Sequence, residues 1–254
     1  MLVDTHAHLY SSDFSDDREK IIGNALLNNV SKIVLPNIDA DSIPAMLDLC
    51  DAYPEVCFPL MGLHPTSVKE DYLEQLKLAE AWLGKRKFRG IGEIGIDLYW
   101  DKTYINQQSD AFRTQLQWAR TMNLPVAVHV RNSFDEVYEI LETEQDGSMK
   151  GVFHCFGGNV EEAKKIIGAG FYIGIGGVVT FRNSCLGEVL QHIDIKNIVL
   201  ETDSPYLAPT PFRGRRNESA YIIHVAQKIG ELYNIPFGEV ERITSQNAEK
   251  LFDI

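Results

Sequence analysis

The chain is short of cysteine, of positive charge and of long apolar runs, and each shortage removes a class of protein. Its four cysteines, Cys50, Cys57, Cys155 and Cys185, contain no Cys-x-x-Cys pair and are too few for 254 residues to suggest a disulfide framework. A reducing cytoplasmic setting is therefore expected. No segment approaches the 18 apolar residues of a membrane span. The opening Met1-Leu2-Val3-Asp4-Thr5-His6 has neither a basic segment nor an apolar stretch of signal-peptide length, so export is not expected. With 24 Lys and Arg against 36 Asp and Glu, the net charge is −12. That balance argues against a protein that coats nucleic acid, because tight non-specific binding needs clustered cations to displace counterions. A nucleic-acid substrate stays open, since bound metal ions supply charge that the residue count omits.

What remains is the composition of an ordinary globular chain, 44% hydrophobic and 24% charged, without repeats, linkers or low-complexity segments. Short β-branched runs alternate with helix-period segments throughout, the mark of βα units around a parallel sheet. Eight strands are expected: Leu2–His6, Lys32–Pro36, Val56–Leu63, Gly90–Ile94, Pro125–Val130, Gly151–Cys155, Phe171–Ile175 and Ile198–Thr202. Ile21, Ile22, Ala25 and Leu26 give a helix from about Asp16 to Asn29 one buried face, and Tyr72 to Leu83 repeats the pattern. Asn159 stands three before Glu162, as in a capping box, and Gly168 and Gly170 close the helix that follows. The expectation is one α/β domain over residues 1–254, a (β/α)8 TIM barrel. A doubly wound open sheet also alternates strand and helix, but no G-x-G-x-x-G follows the first strand. Gly174, Gly176 and Gly177 match no phosphate-loop spacing and suit a tight turn.

Polar residues end the apolar strands, where a barrel carries its active site. His6 and His8 lie two apart, so strand alternation puts them on one face; Asp4 shares that parity and is an expected partner to orient a histidine. Glu93 ends strand four, His129 strand five and His154 strand six, and Asp203 follows strand eight. A lone histidine of this kind is as well read as a hydrogen-bonded core residue. Six nitrogen and oxygen ligands at strand ends point instead to a metal centre for Zn, Mn, Ni or Fe, with Mg admitted by the carboxylates. Six exceeds one tetrahedral ion, and a carboxylate can bridge two. The reading assigns His6, His8 and Asp203 to one ion, His129 and His154 to the other, and Glu93 as bridge. Two divalent ions about 3.5–4 Å apart activate water and suit phosphate esters, with Asp203 as general base.

His64, at the end of strand three, reads either as a donor to a substrate phosphate or as a cap on the following loop. Arg131 shares the parity of His129 and offers paired donors to phosphate. Arg213, Arg215 and Arg216 form the one dense cationic cluster, read as either a substrate contact or a solvated loop. Tyr206 is available to pack on a base or sugar. His192 and His224 lie in peripheral contexts.

Asp4-Thr5-His6-Ala7-His8-Leu9, Gly62-Leu63-His64-Pro65, Gly92-Glu93-Ile94-Gly95-Ile96-Asp97, His154-Cys155-Phe156, Glu201-Thr202-Asp203-Ser204-Pro205-Tyr206 and Arg213-Gly214-Arg215-Arg216-Asn217 stand in this order along nearly the whole chain. The set resembles the signatures of the TatD-like metal-dependent deoxyribonucleases, within the amidohydrolase-like barrels. The resemblance implies a divalent-metal hydrolase acting on DNA, often as an exonuclease from the 3′ end, on single strands or strand ends, in DNA repair or degradation. It also implies that Glu93 occupies the place where many amidohydrolases have a carboxylated lysine. Ser219 departs from the pattern, where the family usually has proline after Asn-Glu. The rival readings are a hydrolase of a small ester, lactone or amide on the same centre, and a catalytically silent adaptor on an enzyme scaffold. Arg131 and the Arg213–Arg216 cluster speak against the first, and the intact ligand set against the second. No protein partner or membrane role is legible.

Overall fold

In the computed structural model, which describes residues 1–254, all eight expected strands form. They are β1 (Leu2–Asp4), β2 (Val30–Pro36), β3 (Cys57–Leu60), β4 (Ile91–Asp97), β5 (Val126–Arg131), β6 (Gly151–Phe153), β7 (Phe171–Ile175) and β8 (Ile198–Leu200). All pairings are parallel and follow chain order, β1-β2-β3 and β4 through β8. The two arcs close at both seams. Met61 bridges Ile91 beside β3 and β4, while Thr5 N–H donates to the Leu200 carbonyl at 3.0 Å and Ala7 bridges Ser204. The result is the expected TIM barrel.

Between the strands run α1 (Arg18–Leu27), α2 (Ile43–Ala52), α3 (Tyr72–Leu83), α4 (Ile105–Met122), α5 (Phe134–Glu144), α6 (Val160–Gly168) and α7 (Leu186–Leu190), followed by α8 (Ile222–Tyr233) and α9 (Phe237–Phe252). The helix read from Tyr72 to Leu83 is α3, and that read from Asp16 to Asn29 shortens to α1. The capping box is formed: Asn159 accepts from the Glu162 N–H and the Glu162 carboxylate accepts from the Asn159 N–H, satisfying N–H groups that the helix itself leaves free. No helix is long and apolar enough to cross a membrane.

A small core inside the barrel explains which end can carry chemistry. Val3, Val34, Leu60, Ala127, Val152 and Val199, one from each of six strands, pack with Ala248, Leu251 and Phe252 of α9. This helix plugs the N-terminal mouth. Two residues further along β5 and β6 the same inward face carries His129 and His154, and on β8 it carries Glu201 and then Asp203. Alternation thus places apolar side chains on the plug and ligand-type side chains at the open end. Close strand contact is needed at Gly95, where φ is +147° and an added Cβ would lie 2.0 Å from the His129 carbonyl oxygen.

Candidate metal centre

The six expected ligands converge at the open end, with Glu93 in the middle. Its two oxygens face two sets of imidazoles. Oε2 lies 3.0 Å from His6 Nε2 and 3.6 Å from His8 Nε2; Oε1 lies 2.6 Å from His129 Nδ1, 2.7 Å from His154 Nε2 and 3.1 Å from His64 Nε2. Asp203 Oδ1 completes the first set at 3.6 Å from His8 Nε2 and 3.9 Å from His6 Nε2. Three overlapping groups have ligand atoms close enough to hold one ion: His6, His8 and Asp203; His6, Glu93 and His154; and His64, Glu93 and His129.

Hydrogen bonding decides which ring nitrogen carries a proton. Tyr10 donates its hydroxyl hydrogen to the Pro36 carbonyl at 2.5 Å, so at 3.0 Å from His8 Nδ1 its oxygen is the acceptor and that nitrogen the donor. The His8 Nε2 lone pair then points at Glu93 and Asp203. His129 stands between two carboxylates, Nε2 2.9 Å from Asp97 Oδ2 and Nδ1 2.6 Å from Glu93 Oε1, and these outweigh burial and raise its pKa. Nδ1 therefore shares a positive charge with Glu93, a proton or, in its place, a metal ion, while Nε2–H stays on Asp97. The only cationic side chains pairing with Glu93, Asp97, Glu201 and Asp203 are imidazoles. The donor set therefore fits divalent cations, with His8 Nε2 and His129 Nδ1 presented as ligands.

Electrostatics favour the ionised carboxylates these ligands need. Burial alone would raise the Glu93 pKa, but His154, His64 and His6 outweigh it and hold the group well below the usual carboxylate range. Asp203 and Asp97 are lowered against the same desolvation, Asp203 by the imidazoles of His8, His154 and His6, and Asp97 by His129 and the loop N–H groups. Burial lowers His6 and His64, whereas Glu93 and Glu201 overcome it and lift His154 well above the ordinary histidine value.

Asp4 is placed differently from expectation. Its carboxylate accepts from the Thr202 N–H at 2.9 Å, the Thr202 hydroxyl at 2.7 Å and the His6 backbone N–H at 3.3 Å. It thus fastens the end of β1 to the segment after β8 and touches no imidazole ring; burial pushes its pKa up to about 7. His64 is a loop cap, because Nδ1 accepts the Thr66 N–H at 3.1 Å; Nε2 then carries the proton toward Glu93. It also lines the cleft, so the donor reading stands beside the cap.

That cleft, of about 600 Å³, is bounded by Ile38, Trp100, Arg131, Tyr206 and Leu207 above the ligands. Arg213, Arg215 and Arg216 lie outside its lining. Arg216 donates to the Asp13 carbonyl at 2.6 Å and the Asp17 carboxylate at 2.5 Å, and Arg213 stacks 4.3 Å over Phe181. Arg216 thus braces two loops, while Arg213 rests on a ring and pairs with no carboxylate. The departure at Ser219 leaves this loop anchored: buried Asn217 donates to the Thr202 and Tyr206 carbonyls at 2.8 and 2.7 Å.

Three features went unread in the sequence. Asp97 orients His129 and shares the parity of Glu93 on β4. Fully buried Glu201 accepts from the Cys155 N–H and stands 3.7 Å from His154 Nδ1, with the parity of Asp203 as its signal. Tyr99 and Trp100 are exposed, with Trp100 lining the cleft, and nothing periodic marks them.

A barrel with this ligand ring can be compared with known proteins. The family model described as TatD related DNase matches residues 3–253. The chain belongs to that family. YabD, a metal-dependent hydrolase of Bacillus subtilis (strain 168), is 36% identical over 255 residues, covering 100% of both chains. YcfH, a metal-dependent hydrolase of Escherichia coli (strain K12), is 32% identical over 258 residues, covering 100% of this chain and 96% of its own. The crystal structure of YjjV, a TatD homologue from Escherichia coli K12, superposes with a TM-score of 0.93 at 28% identity, covering 100% of this chain and 98% of that one. This TatD-family protein is accordingly a metal-dependent hydrolase.

Proposed function

We propose that this TatD-family protein hydrolyses phosphodiester bonds of DNA at a binuclear divalent-metal centre, working from a strand end as a 3′–5′ exonuclease. The observation that carries the reading is Glu93, whose two oxygens face separate imidazole sets, as a bridging carboxylate must. His6, His8 and Asp203 would hold one ion and His129 and His154 the other, with Mg, Mn or Zn the metals suited to these donors.

When bound, such ions supply Lewis acidity that lowers the pKa of water and offsets charge on phosphoryl oxygens. The remaining work belongs to the chain. Asp203, at the cleft floor and held anionic, takes the proton of the attacking water. Arg131 offers paired N–H donors to a phosphate oxygen at the cleft edge, and His64 lines the same cleft. Tyr206, 55% exposed beside His8, packs on the sugar or base. Hydrolysis of a small ester, lactone or amide is the competing reading, and Arg131 favours the charged diester.

The test combines metal counting with digestion of end-labelled single-stranded DNA. Wild type should hold two ions per chain and give a ladder from one end, while Asp203→Asn should lose about 10²–10⁴-fold in turnover. Turnover of the Asn variant within a few-fold of wild type would remove Asp203 as base. A single ion at saturation would remove the bridge, and full activity on lactones with none on DNA would favour the competing reading.

A further inference from the structure

We propose that Tyr99, Trp100 and Arg131 form a platform that stacks an unpaired nucleobase beside the hydrolytic centre, giving the enzyme its choice of single strands over duplex. The inference rests on the phosphodiesterase reading above and adds a base-recognition site to it.

The β4–α4 loop exposes two consecutive large aromatics, Tyr99 at 55% and Trp100 at 69%. Apolar rings left in water at the end of a buried strand are unfavourable unless something covers them. Their rings stand edge to face, with centroids 4.9 Å apart. The Arg131 guanidinium lies 3.9 Å over Tyr99 and 5.2 Å from Trp100, so a cation is held against the aromatic pair. Trp100 and Arg131 line the same cleft as Glu93, His129 and Asp203. A site with π-faces, a guanidinium and an adjacent hydrolytic centre matches a nucleotide, whose base stacks while its phosphate meets the cation.

The platform is tied to the centre through one carboxylate. Asp97 Oδ2 accepts from His129 Nε2, and Asp97 Oδ1 accepts from the Tyr99 N–H at 2.9 Å and the Trp100 N–H at 3.2 Å. The group that orients a metal-ligand histidine thereby also fixes the backbone carrying both rings. Register between a stacked base and the scissile phosphate is set by this connection. A duplex base is held by its pair and its stacked neighbours, and even the terminal one must give these up to lie on the rings with its phosphate at the centre, which is the source of strand selectivity.

Trp100 is the experiment's own reporter, because it is the exposed tryptophan while Trp82 and Trp118 are partly buried. The metal-loaded enzyme is titrated with phosphorothioate-linked dT10, with an abasic strand of equal length and linkage, and with a blunt duplex, following tryptophan fluorescence. Quenching by dT10 and little by the abasic strand or duplex is expected. Trp100→Phe should lose the quench but keep affinity for labelled dT10, and Trp100→Ala should weaken that affinity about 5- to 140-fold, the range for removing one stacking contact. Equal quenching by the abasic strand, no quenching by dT10, or unchanged dT10 affinity in Trp100→Ala would each overturn the platform. Metal-supported digestion of ordinary dT10 by wild type runs alongside. Digestion without base-dependent quenching sinks the platform alone, and absence of digestion sinks the phosphodiesterase reading.

Discussion

Replacing Asp97 by asparagine isolates a single charge at the edge of the metal centre. The side chain is 2% exposed, and its Oδ2 receives the Nε2–H of His129 at 2.9 Å. In Asp97→Asn the amide oxygen can keep the Tyr99 and Trp100 N–H bonds, which turns the amide NH2 toward the imidazole. Donor then meets donor, and His129 must move its proton to Nδ1 or rotate. Either response removes the lone pair that faces Glu93 Oε1. Loss of such a carboxylate behind a ligand histidine costs about 10- to 100-fold in metal affinity or activity, or about 1.4–2.7 kcal/mol. Asp97→Ala should lose at least as much, since it also frees the two loop N–H groups. The assay is competitive metal titration, with turnover measured at saturating metal. Binding on the His129 side of Glu93 should weaken and binding by His6, His8 and Asp203 should hold, because Asp97 touches none of those three. An Asn variant with both affinities within two-fold of wild type would refute the orienting role, and so the tautomer assigned to His129.

Chelation should lower thermal stability as well as activity: at metal 100-fold above Kd the bound state gains about 2.7 kcal/mol per site, which for a chain of this size is a Tm fall of roughly 5–11 °C by calorimetry. Phe252→Ala, at the 1% exposed end of the plug helix, should cost about 3–5 kcal/mol in urea unfolding while leaving metal stoichiometry intact; a change below 1 kcal/mol would mean α9 does not seal the barrel. Arg216, through its hydrogen bond, holds the Asp17 carboxyl below its ordinary value of 3.8. Because the folded value is depressed, this contact stabilises fully above about pH 4 and is lost as pH falls through the folded value. Carboxyl NMR titration should therefore show Asp17 moving up to about its ordinary value in Arg216→Ala, and no movement would remove the brace.

Strand count and ligand ring were legible because both follow from alternation. An apolar run ending in His, Glu or Asp gives the strand, its inward face and its open end together, and this placed Glu93, His129 and His154 where the barrel has them. The strand ends were harder. β1 stops at Asp4 and β8 at Leu200, short of His6 and Thr202, because the last residues exchange ladder bonds for seam bonds such as His8 N–H to the Ser204 carbonyl at 2.7 Å. Asp4 misled because parity gives the face only within a regular strand, and β1 ends at Asp4, before His6. The Arg216 pairing was illegible for another reason. Its neutralising partners, Asp13 and Asp17, lie some 200 positions earlier, at a separation of 203 and 199 residues, and no local pattern reports a pairing made by barrel closure.

The same closure decides where positive charge is available to a substrate. Several arginines are already committed to carboxylates: Arg86 to Asp51, Arg89 to Asp253, Arg113 to Glu144 and Arg216 to Asp17. Arg131, like Arg213 over Phe181, rests on aromatic rings rather than a carboxylate, and of the two only Arg131 lines the cleft. A ring face leaves the guanidinium's in-plane N–H donors free, whereas a carboxylate occupies them. Stacking on Tyr99 therefore keeps Arg131 rigid and still unpaired, the state in which a cation can meet an incoming phosphate without first giving up a partner.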